Sequence, residues 1–442
     1  MPRLSGPRKP ALVAALLAGC ALQPGTAYGQ IAVPGQDGIL IQPVLPFDYD
    51  QDRNTSLRQQ IQLDYGGIGL RSGTVLISPR VTVGGGASDN PLLLPGDNPG
   101  DVYGRVTSAV DVRSDWARHR IGLSGSAVLT RFAEVERLNR TEWDLGADGR
   151  LDVGDYASVT AEARLSRVQE DPFVSGLDSS VAILSRYRRA FGALRGTRQF
   201  GRTRITATAA IEDFTFADLT QSDGTVISQD ARDRHEQTYA AQLEYAFSPG
   251  LVAYAQGSYR ATGFDLPGTP LRPVRDGSGW RLLAGANADL PGRLRGTLAA
   301  GFTRRTFNDP QFQPVSGFSA QGEVTWFANP LTNVTLSARR LLQEPPLAGG
   351  DIFFENSARL TLERRARRAL LLGLSGYLGQ VDYVRSPVSF NVRQATASAE
   401  YFAPRWFDVR LSASWTRREG SQATINADMR ELAANLTLTF HP

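Results

Sequence analysis

Several residue types that carry chemistry are nearly missing from this chain. Cys20 is the only cysteine in 442 residues, so no disulfide framework can form within it. Three histidines exist, His119, His235 and His441, and none has a histidine, a cysteine or clustered carboxylates at metal-ligand spacing. The sequence therefore predicts no metal, no cofactor and no enzyme. Gly84-Gly85-Gly86 ends a strand-like segment without leading into a helix, which excludes a phosphate-cradling loop. Lysine is also scarce: Lys9 is the only one, and every later cation is arginine. Arginine keeps its charge and forks onto carboxylates, which suits ion pairs in a wet cavity, although a GC-rich genome gives the same bias. The net charge is only +4, and the arginines are dispersed among acids with no basic stripe interleaved with aromatics. No nucleic-acid partner is expected. Long apolar runs are absent after the first thirty residues, which excludes a helical membrane bundle, since each span needs about 20 consecutive apolar residues.

The first thirty residues read as an export signal. Arg3, Arg8 and Lys9 form a positive start, Ala11 to Leu22 an apolar core, and Ala27-Tyr28-Gly29 a small-x-small cleavage site before Gln30. Leu17-Ala18-Gly19-Cys20 offers a competing reading as a lipobox whose cysteine is lipidated. The later cut is preferred, because a membrane barrel needs no acyl anchor. The expected organisation is a signal peptide over 1–29, a periplasmic N-terminal extension over 30–73 that contains a weak apolar segment around Leu57 to Leu63, and an outer-membrane barrel over 74–442.

From Thr74 onward, segments of about ten to fourteen residues alternate apolar and polar, bounded by Gly, Pro, Asn or Asp. The last is the clearest: Leu432, Ala434, Leu436, Leu438 and Phe440 alternate with Ala433, Asn435, Thr437 and Thr439. Tight turns near residues 114–116, 154–156, 199–201, 248–250, 291–292, 329–330, 365–368 and 404–405 separate longer polar loops near 87–101, 133–140, 169–183, 217–234, 264–277, 308–315, 344–351, 383–388 and 418–424. Eight short connections and nine long ones give eighteen strands. The expected fold is all-β, a transmembrane antiparallel up-and-down β-barrel of about 18 strands whose tight end faces the periplasm.

The face opposite the apolar one carries both signs of charge. Arg105, Asp111, Arg113, Asp148, Arg150, Arg164, Arg281, Arg295, Arg339, Arg359 and Arg410 are the pore-lining candidates, with Asp144, Glu162, Glu244, Asp289, Glu323, Glu355 and Glu400 on the same face. Arginine facing hydrocarbon costs about 2–4 kcal/mol at the midplane, so this many charges must face water or one another. A barrel of 16 to 18 strands leaves room for an aqueous lumen. The acids Glu170, Asp171 and Asp178 make the third long loop a candidate to fold inward. Aromatics near both ends, from Trp116 and Phe402 at the tight turns to Phe132, Phe214 and Trp415 at the long loops, predict interfacial girdles.

The stretch Tyr65-Gly66-Gly67-Ile68-Gly69-Leu70-Arg71-Ser72-Gly73-Thr74-Val75-Leu76-Ile77-Ser78-Pro79-Arg80-Val81, followed by Gly85-Gly86-Ala87-Ser88-Asp89-Asn90, resembles the first strand of the bacterial β-barrel porin 2 family of outer-membrane beta-barrel proteins. Ser114-Asp115-Trp116-Ala117-Arg118-His119 and Tyr245-Ala246-Phe247-Ser248-Pro249 are further echoes. The resemblance spans roughly residues 65 to 440 and carries no catalytic residue. It implies an outer-membrane pore in a Gram-negative bacterium, with membrane lipid and the barrel-assembly machinery as partners. It also implies polysaccharide-export components and an exopolysaccharide as one substrate class. A structural or adhesive barrel with a closed lumen is the alternative.

Overall fold

The computed structural model describes residues 56–58, 60–61, 69–96, 99–169, 181–183, 185–221, 223–269, 274–290, 293–344, 352–385, 389–403, 406–420 and 428–442. The expected signal peptide, the lipobox at Cys20, most of the 30–73 extension, and Glu170, Asp171 and Asp178 lie outside the described residues.

Eighteen long strands run in chain order: β1 Val75–Ser88, β2 Asp101–Ser114, β3 Arg120–Phe132, β4 Arg140–Val153, β5 Ala157–Gln169, β6 Arg186–Phe200, β7 Thr203–Phe216, β8 Arg234–Ser248, β9 Leu251–Phe264, β10 Gly277–Leu290, β11 Leu294–Phe307, β12 Val315–Asn329, β13 Thr332–Gln343, β14 Phe353–Arg367, β15 Leu370–Tyr383, β16 Ser389–Phe402, β17 Phe407–Gly420 and β18 Met429–Phe440. Each pairs antiparallel with its sequence neighbours, and β1 also pairs with β18, which closes the sheet. Closure leaves the barrel sheet without a free terminal strand, the condition for strands to sit in lipid. All eight short connections fall at one end and all nine long ones at the other, as expected.

Strand parity separates two environments. On β7, Arg204, Thr206, Thr208, Ala210, Glu212, Phe214 and Phe216 are buried, while the residues between them, Ile205 and Ile211 among them, are exposed. On β17 and β18 the outward residues include Leu411, Trp415, Leu432 and Leu436, all exposed, with Ser412, Ser414, Thr416 and Glu431 buried on the opposite face. The outer surface is thus an apolar band and the inner one is polar, the distribution a bilayer requires.

The seam between the first and last strands is shorter than its neighbours. β1 and β18 share eight residue pairs, Val81↔Phe440 to Ser88↔Ala433, against fourteen between β1 and β2. Below Val81 a short strand, Leu70–Ser72, takes the place of β18 by pairing with Val75 to Ile77, and the Gly69 N–H donates to the Pro442 carbonyl at 3.2 Å. Sheet structure therefore begins a few residues before the expected boundary at 74, at a hairpin whose turn uses Gly73 at φ 59°. At the other end of the seam Tyr103 of β2 reaches across Gly86 of β1 to hydrogen-bond Asn435 of β18. A Cβ on Gly86 would stand 2.6 Å from the Tyr103 hydroxyl and 2.5 Å from Asn435 Oδ1, so this glycine is what lets the tyrosine cross.

Candidate pore wall and its two mouths

All eleven candidate residues share the parity of the buried, inner-face positions of their strands. Six of them stand in ion pairs. Arg150 Nε lies 2.8 Å from Asp152, Asp148 pairs with Arg120, and Arg164 lies 3.4 Å from Asp144 and 3.6 Å from Glu162.

 The Arg120–Asp148 contact is a hydrogen bond of 3.0 Å from Nη2 to Oδ2. Asp111 sits 3.5 Å from Arg80, Arg339 donates to Glu355 at 2.9 Å, and Arg410 lies 3.9 Å from Glu400. Arg295 is directly opposite Asp289 in the β10–β11 register. Arg359 stacks over the Tyr377 ring at 5.0 Å. Arg105, Arg113 and Arg281 have no carboxylate within ion-pair distance among the described residues, and Arg281 faces Ser258 with Arg260 two positions along β9. The wall is therefore a lattice of paired charges in which Arg105, Arg113 and Arg281 stand outside the ion pairs.

A second cluster that parity reasoning did not single out lies between β6 and β9. Glu212 and Glu236 stand opposite each other in register, an arrangement that like charges resist. Arg189 binds Glu212, while Arg234 at 3.0 Å and Arg260 at 3.5 Å bind Glu236, so three cations hold two acids.

The turn-end mouth holds a piece of the N-terminal segment. Leu57, Arg58, Gln60 and Ile61 are helical, and the Gln60 N–H donates to the Ser56 carbonyl at 3.0 Å. Leu57 and Ile61, one turn apart on one face, are buried against Leu371 of β15 and Phe402 of β16. Arg58 between them donates to Glu400 at 2.9 Å and lies 3.6 Å from Glu363 of β14. Burial pulls the Arg58 pKa down, but the carboxylates of Glu400 and Glu363 outweigh it, so the guanidinium sits above its ordinary value. The apolar segment around Leu57 thus docks on the inner wall. Its signal in the sequence was the pair Leu371 and Phe402, apolar residues at positions whose parity calls for polar ones.

At the loop end the first long connection folds inward. Asn90 anchors it, with its Nδ2 donating to the Leu94 carbonyl at 2.8 Å and the Arg430 carbonyl at 2.9 Å. Leu93, at φ 56°, packs among Phe353, Val381, Val392 and Met429, while Leu92 packs against Tyr103, Phe132 and Leu138. Arg232 from the β7–β8 connection lies 4.1 Å over the Phe216 ring. Arg385 donates to the Gln313 carbonyl at 2.6 Å, tying two further loops together.

The aromatic girdle needs a correction. Trp116, Tyr156, Phe200, Phe247, Trp326 and Trp406 are exposed at the turn end, and Trp280, Phe318 and Trp415 at the loop end. Phe132, Phe214 and Phe402 are buried on the inner face, and Phe264, Phe307 and Tyr383 share that parity. Height along the strand was legible, but parity decides whether an aromatic meets lipid or the inward-folded chain.

Each histidine meets one aspartate. His119 Nδ1 accepts from the Asp152 N–H at 3.1 Å, His235 lies 3.5 Å from Asp265, and His441 Nε2 lies 3.0 Å from Asp408. Among the described residues no group of three or more histidines, cysteines or carboxylates is placed to hold a metal ion.

A closed antiparallel barrel with an apolar outer band and a charged inner wall is the architecture of an outer-membrane β-barrel. The chain belongs to the family described as "Putative beta-barrel porin 2", whose profile matches residues 63–440. It is an outer-membrane protein of porin type. Among solved structures it is similar to OpdO of Pseudomonas aeruginosa, at TM-score 0.46 and 11% identity over 86% of this chain and 99% of that one. It is also similar to OccK2 (OpdF) of the same organism in complex with glucuronate, at TM-score 0.46 and 10% identity over 83% and 98% of the two chains. The siderophore receptor PirA from Acinetobacter baumannii is similar at TM-score 0.45 and 8% identity over 82% and 80%. No curated protein matches the chain.

Proposed function

We propose that this protein is a passive channel for polar solutes across the outer membrane, with its loop end outside and its N-terminal segment in the periplasm. The observation that supports it most is the inner wall. Eighteen strands enclose more width than side chains fill, and that wall carries charges of both signs, including Arg105, Arg113 and Arg281 with no carboxylate within ion-pair distance among the described residues. Water and mobile counter-ions are the natural neighbours of such cations, because a dry interior would leave them uncompensated. Both mouths are narrowed by the chain's own segments, Leu57 to Ile61 at one and Leu92-Leu93 at the other. The reading needs no catalytic step. It is tested by reconstituting purified protein in planar bilayers: discrete conductance steps are expected, and a silent bilayer from folded barrels would reject it.

Export of an exopolysaccharide is one use of such a conduit. Deleting the gene is then expected to abolish surface glycan while its synthesis continues, and unchanged surface glycan would reject that substrate. A second reading, an adhesive barrel with a closed lumen, is favoured by the interlocked loops that bring Leu93, Arg232 and Arg385 into contact with other strands and loops. The same bilayer recording separates the two.

A further inference from the structure

The outer surface carries one feature that an apolar lipid-facing band does not require. Arg393 of β16, Arg417 of β17 and Arg430 of β18 are direct register partners, Arg393↔Arg417 and Arg417↔Arg430, so three guanidinium groups stand side by side in one row. They share the outward parity of Tyr401, Trp415 and Leu432, all exposed. The side chains of Arg393 and Arg417 are 53% and 52% exposed. Glu419 is shared between these two, 3.5 Å from Arg393 and 2.7 Å from Arg417. Like charges directly across a ladder repel, and a shared carboxylate offsets only part of that repulsion, so a further anion bridging the row would be stabilised there.

Its height identifies the anion. The next outward row toward the turn end is Ala395, Trp415 and Leu432, which is apolar with an aromatic of the kind that marks an interface. From Phe407 to Arg417 the strand climbs roughly 33 Å, or about 25 Å along the axis at a usual barrel tilt, which is the thickness of the apolar band. The row therefore lies where headgroups of the outer leaflet begin. Strands about 4.8 Å apart present neighbouring forks at a spacing that suits the oxygens of one phosphate group or two adjacent ones. Among the described residues the next longest outward arginine row is the pair Arg167↔Arg188.

We infer that Arg393, Arg417 and Arg430 form a binding site for a phosphorylated lipid headgroup of the outer leaflet. The site rests on the orientation proposed above and is independent of whether the lumen is open. Its chemistry is recognition of phosphate by arginine forks at the boundary of the apolar band, where a lipid tail can lie along Trp415 and Leu432.

The test uses the purified full-length protein in detergent, mixed separately with lipid A, with the same lipid stripped of its phosphates, and with inorganic phosphate, and bound lipid is counted by native mass spectrometry. Lipid A is expected to bind, the dephosphorylated lipid at least tenfold less. Inorganic phosphate at the same concentration should displace neither. Arg393→Gln/Arg417→Gln/Arg430→Gln should lose at least tenfold in lipid A retention. Should that variant fail to fold, Arg417→Lys alone keeps the charge, removes one fork, and should still weaken retention severalfold. Equal binding of both lipids, displacement by inorganic phosphate, or wild-type retention in folded variants would overturn the site. Conductance enters none of these measurements, so failure here is distinct from failure of the channel.

Discussion

Removing the charge of Arg58 should release the N-terminal segment from the turn-end mouth. The guanidinium contacts Glu400 at 2.9 Å and Glu363 at 3.6 Å, and its side chain is 34% exposed. A pair at roughly 4 Å gains about 4 kcal/mol in Coulomb energy at an effective dielectric of about 20, and most of that is offset by desolvation and by ordering a long side chain. Hydrogen bonds to charged partners retain about 1.5–3 kcal/mol, and partial exposure argues for the lower half of that range. Arg58→Met keeps the aliphatic contact and removes the charge, so the docked state should weaken by about 1.5 kcal/mol, or roughly tenfold in population. Ile61 is fully buried in the dock, which makes Ile61→Cys a reporter in a Cys20→Ser background. Its labelling by a hydrophilic maleimide should be slow, and about tenfold faster once Arg58→Met is added. Glu400→Gln should give part of the same gain and little further gain on top of Arg58→Met, because the two changes remove one shared interaction. Rapid labelling with Arg58 intact, or equal rates with and without Arg58→Met, would refute the docking argument.

Other expectations follow from other parts of the wall. Gly86→Val would push a side chain into the Tyr103–Asn435 crossing and, as overpacking commonly costs about 1–3 kcal/mol, should lower the temperature at which the barrel loses its heat-modifiable gel mobility; an unchanged transition would remove the seam argument. Arg281→Glu combined with Arg105→Glu should shift the zero-current potential in a salt gradient toward cation preference, and no shift would mean that these positions do not border the ion path. The Thr225 N–H donates to Asp223 at 2.8 Å and holds that carboxyl below its usual range. With a depressed pKa, the local stabilisation is present above the unfolded carboxylate value and is lost as pH falls through the folded one. Exchange of the Thr225 amide, corrected for its intrinsic pH dependence, should accelerate only below about pH 4; acceleration that begins near neutrality would contradict this.

Strand number, turn positions and the two faces were legible because lipid enforces a strict alternation. A one-residue slip would turn Leu432, Leu436 and Phe440 inward and Glu431 into the hydrocarbon, so the pattern admits one register. The partners of the inner charges were less legible. Arg150 with Asp152 is a same-strand pair readable from the sequence, whereas Arg58 with Glu400 or Ser88 with Glu431 joins residues more than three hundred positions apart through closure of the barrel. The inward path of the first loop was not legible either. Leu92 and Leu93 carry no charge and lie in a loop, where no alternation marks which side chains turn inward.

The apolar residues of the inner wall nevertheless obey a rule that makes such paths recoverable. Along strands whose inner positions are mostly polar, Leu371 and Phe402 stand out at the turn end, and they are covered by Leu57 and Ile61. Phe353, Val381, Val392 and Met429 stand out at the loop end and are covered by Leu93. Tyr103 and Phe132 receive Leu92, Leu138 and Leu219, and Phe216 receives Arg232. In each case the exception is an apolar side chain facing a space that would otherwise be wet, at about 25 cal/mol for every Å² left uncovered. A chain that folds back into the lumen removes that cost, so these exceptions to parity mark where the lumen is occupied, whereas Leu283, on the same face as Arg281, is covered by Tyr254 and Ala299 of the wall itself. The middle of the wall, with Arg105 and Arg281 and no inbound segment among the described residues, is then where solvent must run if the barrel conducts.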